Sequence, residues 1–414
     1  MPAWAGSSRG RSAEVAPFAD RRLVWYKGST PVGIDWSTLV KVWVRQQMAY
    51  MHPDHSPMPF PVPGWMWDRE RGQRLYADRL AFVQRMDALG LDGLVFTEHH
   101  FGPNGGLTPS PLIMLSAAAG VTRHVNLVTL GVVLSLYGHP VRVAEELAMV
   151  DNISGGRLAV GLISAGAQNL YAYGMAPEHE RARYHEAFDL MVRAWTDDKP
   201  FAWHGEHYHY ECVSILPRPL QDPHPPIWTV AASTESLQWA ARNHIGIIAS
   251  GNIDDSLRLI EYYRRFAETE CGWAPGPESV GIAREICIAS SEGAAKRLAE
   301  RVLNGDRSDI VENIAASPQL VETGRAVRAT KTYVYRPAAT TSMMRGGRSE
   351  EGIAGGQFLV GTPASITERV LAQQAACNAG VLVLRAEMSD LPLDEVGDEF
   401  EIIARDVLPT LHQV

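Results

Sequence analysis

The hydrophobic positions of this chain alternate between short β-branched runs and longer segments of helical period. In residues 69–89, for example, Phe82, Val83 and Met86 fall on one helical face, and Gly90 suits a helix exit. Such alternation predicts βα units and a parallel sheet. The predicted strands are 41–50 (with 23–26 as an alternative first strand), 94–97, 125–134, 158–163, 227–231, 245–249, 280–289 and 381–384. The predicted helices are 69–89, 111–119, 141–153, 184–196, 236–243, 254–271 and 394–408.

Eight predicted strands, most of them followed by a helix, favour a closed α/β barrel, the (β/α)8 TIM barrel, over an open doubly wound sheet. The first strand is not followed by Gly-x-Gly-x-x-Gly, which weakens the dinucleotide-fold alternative. Residues 201–210 alternate as a hairpin that is inserted before the fifth strand. We therefore predict one barrel domain, residues 23–414, preceded by a flexible arm, residues 1–22.

The segment 295–359 is too long for an ordinary connection between barrel elements. Within it, residues 337–356 are rich in Gly, Ser, Thr and Ala, a composition that predicts a mobile loop. An insertion of this kind either covers an active site or is a passive surface excursion, and the sequence leaves both readings open.

Composition and charge exclude several classes of protein. The net charge of −9 is spread along the chain, so no nucleic-acid surface is expected. Apolar runs fall short of the roughly 18 residues of a membrane-spanning helix, and residues 1–22 lack the apolar core of a secretory signal. The four cysteines, Cys212, Cys271, Cys287 and Cys377, form no C-x-x-C pair, which favours reduced thiols in the cytoplasm.

Candidate chemistry is sought at the carboxyl ends of the strands, because the active site of a barrel lies there. The second strand ends in Glu98, His99 and His100, and a histidine in that position can hold or transfer a proton near neutral pH. Adjacent residues leave a strand in opposite directions, so His99 and His100 are expected to differ in role, with only one facing the reacting centre.

Ser233, Thr234 and Ser236 follow the fifth predicted strand and open a helix. Hydroxyl groups and unpaired N–H groups at a helix start bind phosphate well. Ser233 or Thr234 would serve equally well as a simple helix cap, and the segment alone does not decide between the two roles.

A second group of polar side chains, His204, His207 and His209, lies on the predicted hairpin. His207 and His209 share a strand face, but the spacing of the neighbouring residues supplies no further ligand. We therefore expect a surface hairpin here and no metal.

Several blocks of sequence occur in an order that is typical of one protein family. Glu-His-His-Phe at 98–101 is followed by His-Pro-Val-Arg-Val-Ala-Glu-Glu at 139–146 and by Ser-Gly-Gly-Arg-Leu at 154–158. Pro-Arg-Pro-Leu-Gln at 217–221, His-Pro-Pro-Ile-Trp at 224–228, Gly-Thr-Pro at 361–363 and Asp-Val-Leu-Pro at 406–409 come next. From about Trp67 to the end, the chain resembles the bacterial-luciferase-like flavin-dependent monooxygenases.

The resemblance implies a cytoplasmic homodimer of (β/α)8 barrels that binds reduced FMN delivered by a separate NAD(P)H:flavin reductase. O2 would add at flavin C4a, and the resulting peroxide would oxygenate an organic substrate. In this family His99 matches the catalytic histidine, which stabilises the peroxyflavin or takes a proton, and His100 matches a second histidine that lines the pocket.

The resemblance also implies which residues hold the cofactor. Ser233 and Ser236 match the hydroxyl positions that bind the FMN phosphate, with Thr234 between them. Leu134 and Ser135, with the neighbouring Leu136, match a backbone bulge that supports the flavin ring and often contains a non-proline cis peptide.

Two positions depart from the family's pattern. Where many relatives carry an Arg-Gly pair that neutralises the phosphate, this chain has Ser164 and Ala165, and an Asn common near the end of strand three is Val132. A lost charge-assisted contact is worth about 1.5–3 kcal/mol. Flavin affinity is therefore low unless another cation replaces the arginine. Candidates for compensating hydrogen bonds lie downstream, at Gln168, Asn169 and Tyr171.

The leading hypothesis is a two-component FMN-dependent monooxygenase. The alternatives are a hydride-transfer enzyme of the same fold that uses the deazaflavin F420, and a non-catalytic flavin- or ligand-binding barrel. Aromatic and Met side chains near the expected mouth suit an apolar or aromatic substrate, although plain packing also explains them. They are Trp65, Met66, Trp67, Tyr137, Tyr171 and Tyr173.

Overall fold

The computed structural model describes residues 40–50, 58–102, 106–230, 232–304, 318–332, 349–386 and 391–413. The arm 1–22 and the alternative first strand 23–26 lie outside these residues. The strands are β1 (Lys41–Gln46), β2 (Gly93–Phe96), β3 (Asn126–Thr129), β4 (Leu158–Gly161), β5 (Phe201–His204), β6 (His209–Val213), β7 (Ile227–Val230), β8 (Gly246–Ala249), β9 (Val280–Ile288), β10 (Phe358–Gly361) and β11 (Val381–Arg385).

Helices connect the strands and cover the outside of the sheet. They are α1 (Arg69–Ala88), α2 (Pro111–Val121), α3 (Pro140–Ser154), α4 (Ala167–Tyr173), α5 (Pro177–Thr196), α6 (Thr234–Arg242), α7 (Ile253–Phe266), α8 (Glu292–Asn304), α9 (Pro318–Ala329), α10 (Glu350–Ala354), α11 (Pro363–Cys377), α12 (Leu393–Ile402) and α13 (Leu408–Leu411). Short 3-10 turns occur at Gly64–Met66, Leu134–Leu136 and Pro277–Ser279, and single π-turns at Ala267–Cys271 and Ile403–Val407. Over the described ranges, no helix combines the length and hydropathy that a membrane crossing requires.

Eight parallel strands close into a barrel, which confirms the predicted fold. Their order around the ring is β1, β2, β3, β4, β7, β8, β9 and β11, and β11 returns to pair with β1. The nine-residue strand β9 pairs with β8 and β11 through its first part. Its last part pairs with β10, a ninth strand outside the ring, and β5 and β6 form the predicted hairpin separately.

The strands are buried on both faces, because helices cover the outside and side chains fill the lumen. The lumen contains a compact apolar cluster, here called the lumen plug. It consists of Trp43, Val95, Val128, Leu130, Ala159, Trp228, Ile248, Val381 and Val383, with Ala283 packed against it. Alternate residues of the same strands face outward into the main core, so the next inward position along each strand lies above the plug, toward the carboxyl-end mouth.

The third strand is shorter than predicted: β3 ends at Thr129 rather than at residue 134. The Thr129 hydroxyl accepts a hydrogen bond from the Gly161 N–H at 2.7 Å. In a continuing β-ladder, a backbone carbonyl group would accept this hydrogen bond. A cis peptide joins Leu130 to Gly131, four residues before the expected position near Leu134. The apolar run could not reveal this end, because Val132 and Val133 stay buried and Val132 still forms an isolated parallel bridge with Leu162.

The described residues of the segment 295–359 carry most of α8 together with α9, α10 and the start of β10. Val327 of α9 packs against Leu170 of the short helix α4, which the local pattern also failed to predict. Each of these helices buries its apolar side chains against the other, a long-range contact that periodicity cannot show. Of the stretch 337–356, residues 349–356 form α10 and a turn, and the rest lies outside the described residues.

Two residues of the Asp-x-x-Ser-Gly-Gly-Arg block have structural roles. The buried Asp151 carboxylate accepts the N–H groups of Leu220 and Gln221 and the Gln221 side-chain amide, at 2.7–2.9 Å, and so fixes the chain that enters β7. The Arg157 guanidinium donates to the carbonyl groups of Val125 and Ser154 at 2.7 and 2.8 Å. This block therefore fixes the strands beneath the mouth rather than forming part of it.

We predict that Asp151→Ala lowers the free energy of unfolding by about 2–4 kcal/mol, because three buried donors lose their acceptor. Urea unfolding followed by circular dichroism measures the change. The control is Asp78→Ala, which removes an exposed carboxylate from α1 and is expected to stay within about 0.5 kcal/mol of the wild type. Equal stability of the two variants would contradict the assigned role of Asp151.

Candidate active site

The carboxyl ends of the parallel strands meet at one mouth of the barrel, and the predicted site residues follow these ends. His99 and His100 follow β2, Ser164 follows β4, and Ser233 follows β7. The fold therefore brings to one mouth residues that are far apart in the sequence.

Glu98 is the hub of the hydrogen bonds at this mouth, with 2% of its surface exposed. Its Oε2 atom accepts from the Val133 N–H and from the Tyr137 hydroxyl, each at 3.1 Å. Its Oε1 atom lies 2.9 Å from Nε2 of His100. One buried carboxylate thus ties the end of β2 to the chain that follows β3 and orients a histidine.

His100 uses both ring nitrogens within this network. A carboxylate only accepts, so Nε2 donates to Glu98, and Nδ1 is left to accept from the Tyr173 hydroxyl at 3.2 Å. The His100 and Tyr173 rings also meet edge to face, with centroids 5.3 Å apart. His100 is therefore a positioned residue whose hydrogen-bonding capacity is already used.

His99 has the opposite character. Its Nε2 atom is buried and has no hydrogen-bond partner among the described residues. Burial, followed by the positive charges of Arg45 and Arg385 and the nearby His100, lowers the pKa of His99 from its ordinary 6.5 to about 3. The imidazole is thus neutral at physiological pH and has one nitrogen available to a bound molecule. This division of labour agrees with the expectation that only one histidine faces the reacting centre.

The predicted flavin-ring support, Leu134 and Ser135, forms a 3-10 turn whose side chains are fully buried. The Ser135 hydroxyl donates to Glu180 of α5 at 3.1 Å, and the N–H of Ala165 donates to the same carboxylate oxygen at 2.8 Å. Burial raises the pKa of Glu180. Ser164 therefore sits directly beside a buried carboxylate, at the position where many relatives have an arginine.

Ser233 is the N-cap of α6, as one of the two predicted roles requires. Its hydroxyl accepts the Ser236 N–H at 3.2 Å and lies 2.9 Å from the Ser236 hydroxyl. The N–H of Thr234 donates to the carbonyl of Thr332, at the end of the segment that carries α9. Capping is shown, and the phosphate role is compatible with it.

Two cations from outside the strand ends lie close to the start of α6. Arg181 of α5 is 3.9 Å from Glu235 and donates to the Thr330 carbonyl at 3.0 Å. Lys331 follows α9, and burial lowers its pKa while the neighbouring Glu180 and Glu235 act in the opposite direction. Neither residue was predicted from the sequence, because neither is adjacent in sequence to a barrel strand end.

The aromatic residues proposed for the mouth divide into two groups. Tyr137 and Tyr173 belong to the hydrogen-bonded network of Glu98 and His100. Tyr171, predicted to contact the cofactor, is exposed on α4. Trp65 and Trp67 are exposed in the loop that follows β1, whereas Met66 is buried beneath them.

A row of charged side chains at the top of the lumen was also missed. Arg45, Arg385 and Glu285 are two residues beyond Trp43, Val383 and Ala283 on adjacent strands, so they form the layer above the lumen plug. Arg385 and Glu285 pair at 3.2 Å, and both are buried. Strand alternation was the signal that could have identified them.

His204 and His209 lie on the antiparallel strands β5 and β6, with their rings 6.4 Å apart. His207 lies in the turn between these strands, so the prediction that it shares a strand face with His209 was wrong. The N–H of His207 donates to Glu186 at 2.8 Å. In the described part of the chain, no three His, Cys, Asp or Glu side chains are grouped as metal ligands.

Comparison with known proteins agrees with this architecture. Residues 65–378 match the family described as luciferase-like monooxygenase, and the chain belongs to that family. An uncharacterized protein of Sinorhizobium fredii, y4wF, is 30% identical over 78% of this chain and 87% of its own length. The oxygenase component of the flavin-dependent trigonelline monooxygenase of Acinetobacter baylyi is 32% identical over 42% of this chain and 49% of its own length. The prediction of a flavin-dependent monooxygenase is thus confirmed at the level of the family.

Solved structures confirm the fold. The monooxygenase RslO1 from Streptomyces bottropensis superposes with a TM-score of 0.69 at 23% identity, over 90% of this chain and 99% of that one. An F420-dependent secondary alcohol dehydrogenase superposes with a TM-score of 0.62 at 14% identity, over the same shares of the two chains. The fold is therefore common to enzymes of both cofactors and does not choose between them.

We predict that His99 makes the folded protein less stable in acid. Its pKa is 6.5 when unfolded and about 3 when folded, so below about pH 6.5 the unfolded chain binds the extra proton. The wild type should therefore lose up to about 1.4 kcal/mol per pH unit more than His99→Asn as the pH falls from about 6 to about 4. Urea unfolding at several pH values measures the difference. The control is His124→Asn, which replaces an exposed histidine and should leave the dependence of the unfolding free energy on pH as in the wild type. If His99→Asn and the wild type show the same dependence on pH, the lowered pKa assigned to His99 is wrong.

Proposed function

We propose that the protein is an FMNH2-dependent monooxygenase that inserts one oxygen atom from O2 into an organic substrate. The observation that carries this proposal is the contrast between the two histidines at the mouth. His100 is saturated by Glu98 and Tyr173, whereas His99 keeps a buried nitrogen that has no partner among the described residues. A buried nitrogen of this kind is costly unless a ligand uses it.

The residues at the mouth fit a flavin at both of its ends. Ser233 and Ser236 at the start of α6 suit a phosphate, because hydroxyl groups and the helix dipole favour an anion there. At the other end, the Oγ1 of Thr97 and the Nε2 of His99 are buried and have no partner in the part of the chain that the structure describes, as polar atoms that face a ring edge would be. Leu134, Ser135 and Ser164 would support the ring from the side of β3 and β4.

Bound reduced FMN would supply the two electrons that activate O2. The protein's own part is then to exclude water and to control one proton. His99 is neutral at working pH, so its Nε2 would donate or accept a hydrogen bond at the reacting atoms without introducing a charge. The Glu98–His100–Tyr173 network would hold the neighbouring wall rigid.

The phosphate cation missing at Ser164 would come from Lys331, assisted by Arg181. Both groups lie near the carboxylate of Glu235 in the first turn of α6. The Thr234–Thr332 hydrogen bond attaches the Lys331 segment directly to this turn. In this proposal the inserted segment covers the active site, rather than being a passive excursion, and supplies a charge that the strand end lacks.

The remaining partners follow from the proposed chemistry. An NAD(P)H:flavin reductase would deliver the reduced cofactor, and O2 and a small organic molecule would enter at the mouth. The homodimer implied by the family resemblance and the cytoplasmic location stay part of the proposal.

Lys331→Met is predicted to weaken the binding of FMN about 5- to 10-fold, because it removes a charge-assisted contact to phosphate. Riboflavin, which lacks the phosphate, should bind both proteins equally. Fluorescence titration with the two flavins measures this difference. The exposed Lys199, replaced in the same way, is the control. A parallel loss of riboflavin affinity would mean that Lys331 supports the fold and not the phosphate.

Reduced FMN, titrated in the absence of oxygen, is predicted to bind the wild type. After mixing with air, the return of the oxidised-flavin absorbance should be delayed relative to free FMN, because the closed mouth excludes water. In His99→Asn the delay should shorten several-fold, whereas His124→Asn, at the opposite end of the barrel, should behave as the wild type. Stopped-flow absorbance measures the time courses.

The same experiment separates the alternative functions. Identical time courses for wild type and His99→Asn would remove His99 from its proposed role. Binding of reduced F420, with no binding of reduced FMN, would favour hydride transfer without oxygen. Binding of flavin in either redox state without any delay would favour a non-catalytic barrel.

A further inference from the structure

The Glu98–His100–Tyr173 network ends in a phenol group at the surface of the mouth. Glu98, at the inner end, has 2% of its surface exposed, whereas Tyr173, at the outer end, has 45% exposed. The hydrogen bonds between them measure 2.9 Å at Nε2 of His100 and 3.2 Å at Nδ1. One histidine ring therefore connects a buried carboxylate to a hydroxyl group that a bound molecule can reach.

The carboxylate fixes the direction of these hydrogen bonds. Three donors converge on Glu98: the Val133 N–H, the Tyr137 hydroxyl and Nε2 of His100. In the neutral ring, Nδ1 of His100 then has no proton and accepts that of the Tyr173 hydroxyl. Burial, followed by the negative charge of Glu98, raises the pKa of Tyr173, so this phenol keeps its proton at working pH. A phenol that donates its proton can still accept one, so the Tyr173 oxygen can take a hydrogen bond from a ligand.

Holding α4 in place does not account for this hydroxyl group. Leu170 anchors the helix, because it is buried in an apolar cluster with Val133 and Ala165. Gly174 ends the helix in the left-handed conformation, and its N–H donates to the backbone of Leu170 and Tyr171. A hydrogen bond between partly exposed side chains adds little to stability, because water replaces it when it breaks. The Tyr173 hydroxyl is therefore explained by its position at the mouth rather than by the stability of α4.

Aromatic rings adjoin this hydroxyl. The rings of His100, Phe101 and Tyr173 contact one another, with all three centroid distances between 5.3 and 5.7 Å. Phe101 is 48% exposed and has a positive φ of 61°, which bulky residues rarely adopt. Its carbonyl accepts the Val62 N–H at 2.8 Å, so this turn is tied to the loop after β1. Exposed rings held in this way suit a flat apolar ring whose polar group lies beside the Tyr173 oxygen.

We propose that Tyr173 is a catalytic residue that takes the proton of a hydroxyl group on an aromatic substrate. His100 and Glu98 are its positioning residues, in the same order of hydroxyl, imidazole and carboxylate that activates a hydroxyl group in other enzymes. This inference rests on the proposed function, since it names the substrate class for that site.

The step moves protons and no electrons. The O–H bond of the substrate breaks and its proton passes to the Tyr173 oxygen, while the proton of Tyr173 passes to Nδ1 of His100. His100 then carries a positive charge beside the Glu98 carboxylate, and one proton is released to water when the product leaves. The ionised substrate ring is richer in electrons than the neutral one, so it is the better acceptor of an oxygen atom.

The test uses p-nitrophenol, whose ionised form absorbs visible light, at a pH about one unit below the pKa of the free compound. The free compound is then about one tenth ionised. Bound to the wild type it should be about half ionised or more, because His100 retains the proton. In Tyr173→Phe the bound compound should be no more ionised than the free one, because the Glu98 charge opposes a second negative charge. His100→Gln, which keeps a donor for Glu98 but accepts no proton, should behave as Tyr173→Phe.

Three controls separate proton transfer from loss of structure. p-Nitroanisole, which has the same ring but no hydroxyl proton, should bind the wild type and Tyr173→Phe with equal affinity. Phe101→Leu should weaken the binding of both compounds alike, because it removes one ring of the aromatic contact. Tyr210→Phe removes a phenol that lies 3.4 Å from Nδ1 of His139 on the separate hairpin, and it should leave the ionisation unchanged.

The absorbance is measured first without flavin and again with reduced FMN in the absence of oxygen. The proposal falls if the wild type binds neither compound in either condition, or if bound p-nitrophenol is as little ionised as the free compound. It also falls if the ionisation survives in Tyr173→Phe, because the positive charges of Arg45 and Arg385 near His99 would then explain it.

Failure of the proposed function gives a different result. If the wild type ionises p-nitrophenol but does not bind reduced FMN, the proposed oxygenation fails while the role of Tyr173 stands. If reduced FMN binds and its reoxidation is delayed, but Tyr173→Phe ionises p-nitrophenol as the wild type does, the role of Tyr173 falls alone.

Discussion

Filling the lumen of the barrel is the constraint on which the rest of the structure depends. Trp43 and Trp228 meet edge to face in the lumen, with ring centroids 5.2 Å apart. Each tryptophan has a glycine beside it in the register of the next strand, Gly93 and Gly246, and a Cβ atom at either glycine would collide with the indole ring. Two large rings thus close the lumen only because their neighbours are small. The apolar plug fills the lumen below this level, so polar side chains in the layer above it face the mouth rather than the core.

Given that floor, the two histidines after β2 differ for a geometric reason. The inward alternation Val95, Thr97, His99 continues past the strand end, so His99 stays over the lumen, near the charges of Arg45 on the neighbouring strand β1 and of Arg385 on β11. His100 points to the other side, where its Nε2–H donates a hydrogen bond to the buried Glu98 carboxylate. A single alternation therefore places one of two identical side chains over the lumen and the other in a hydrogen-bonded network.

The sequence was sufficient for the features that depend on local period. It predicted the eight barrel strands, the histidine pair and the Ser233 turn. Burial at alternate or helically spaced positions produces a matching pattern of apolar residues, which locates the strands and the residues that follow them. It did not predict β10, α4 or the end of β3, since these depend on contacts between distant segments, such as Leu170 with Val327 and Thr129 with Gly161. The charged row was hidden for a related reason: Arg45 and Arg385 are 340 residues apart, and only closure of the barrel makes them neighbours.

The position of Lys331 gives a different meaning to the missing arginine at Ser164. An arginine on a strand end is fixed whenever the barrel is folded, whereas Lys331 belongs to a segment held by the Thr234–Thr332 hydrogen bond and by the packing of α9 on α4. Under the proposed function, the cation that grips the phosphate would arrive with this segment. Cofactor affinity would then depend on the docking of α9. A flavin would stabilise the docked state in return, because the coupling free energy between flavin binding and α9 docking is the same in both directions. Transferring one charge from the barrel to the insertion thus couples cofactor binding to closure of the mouth.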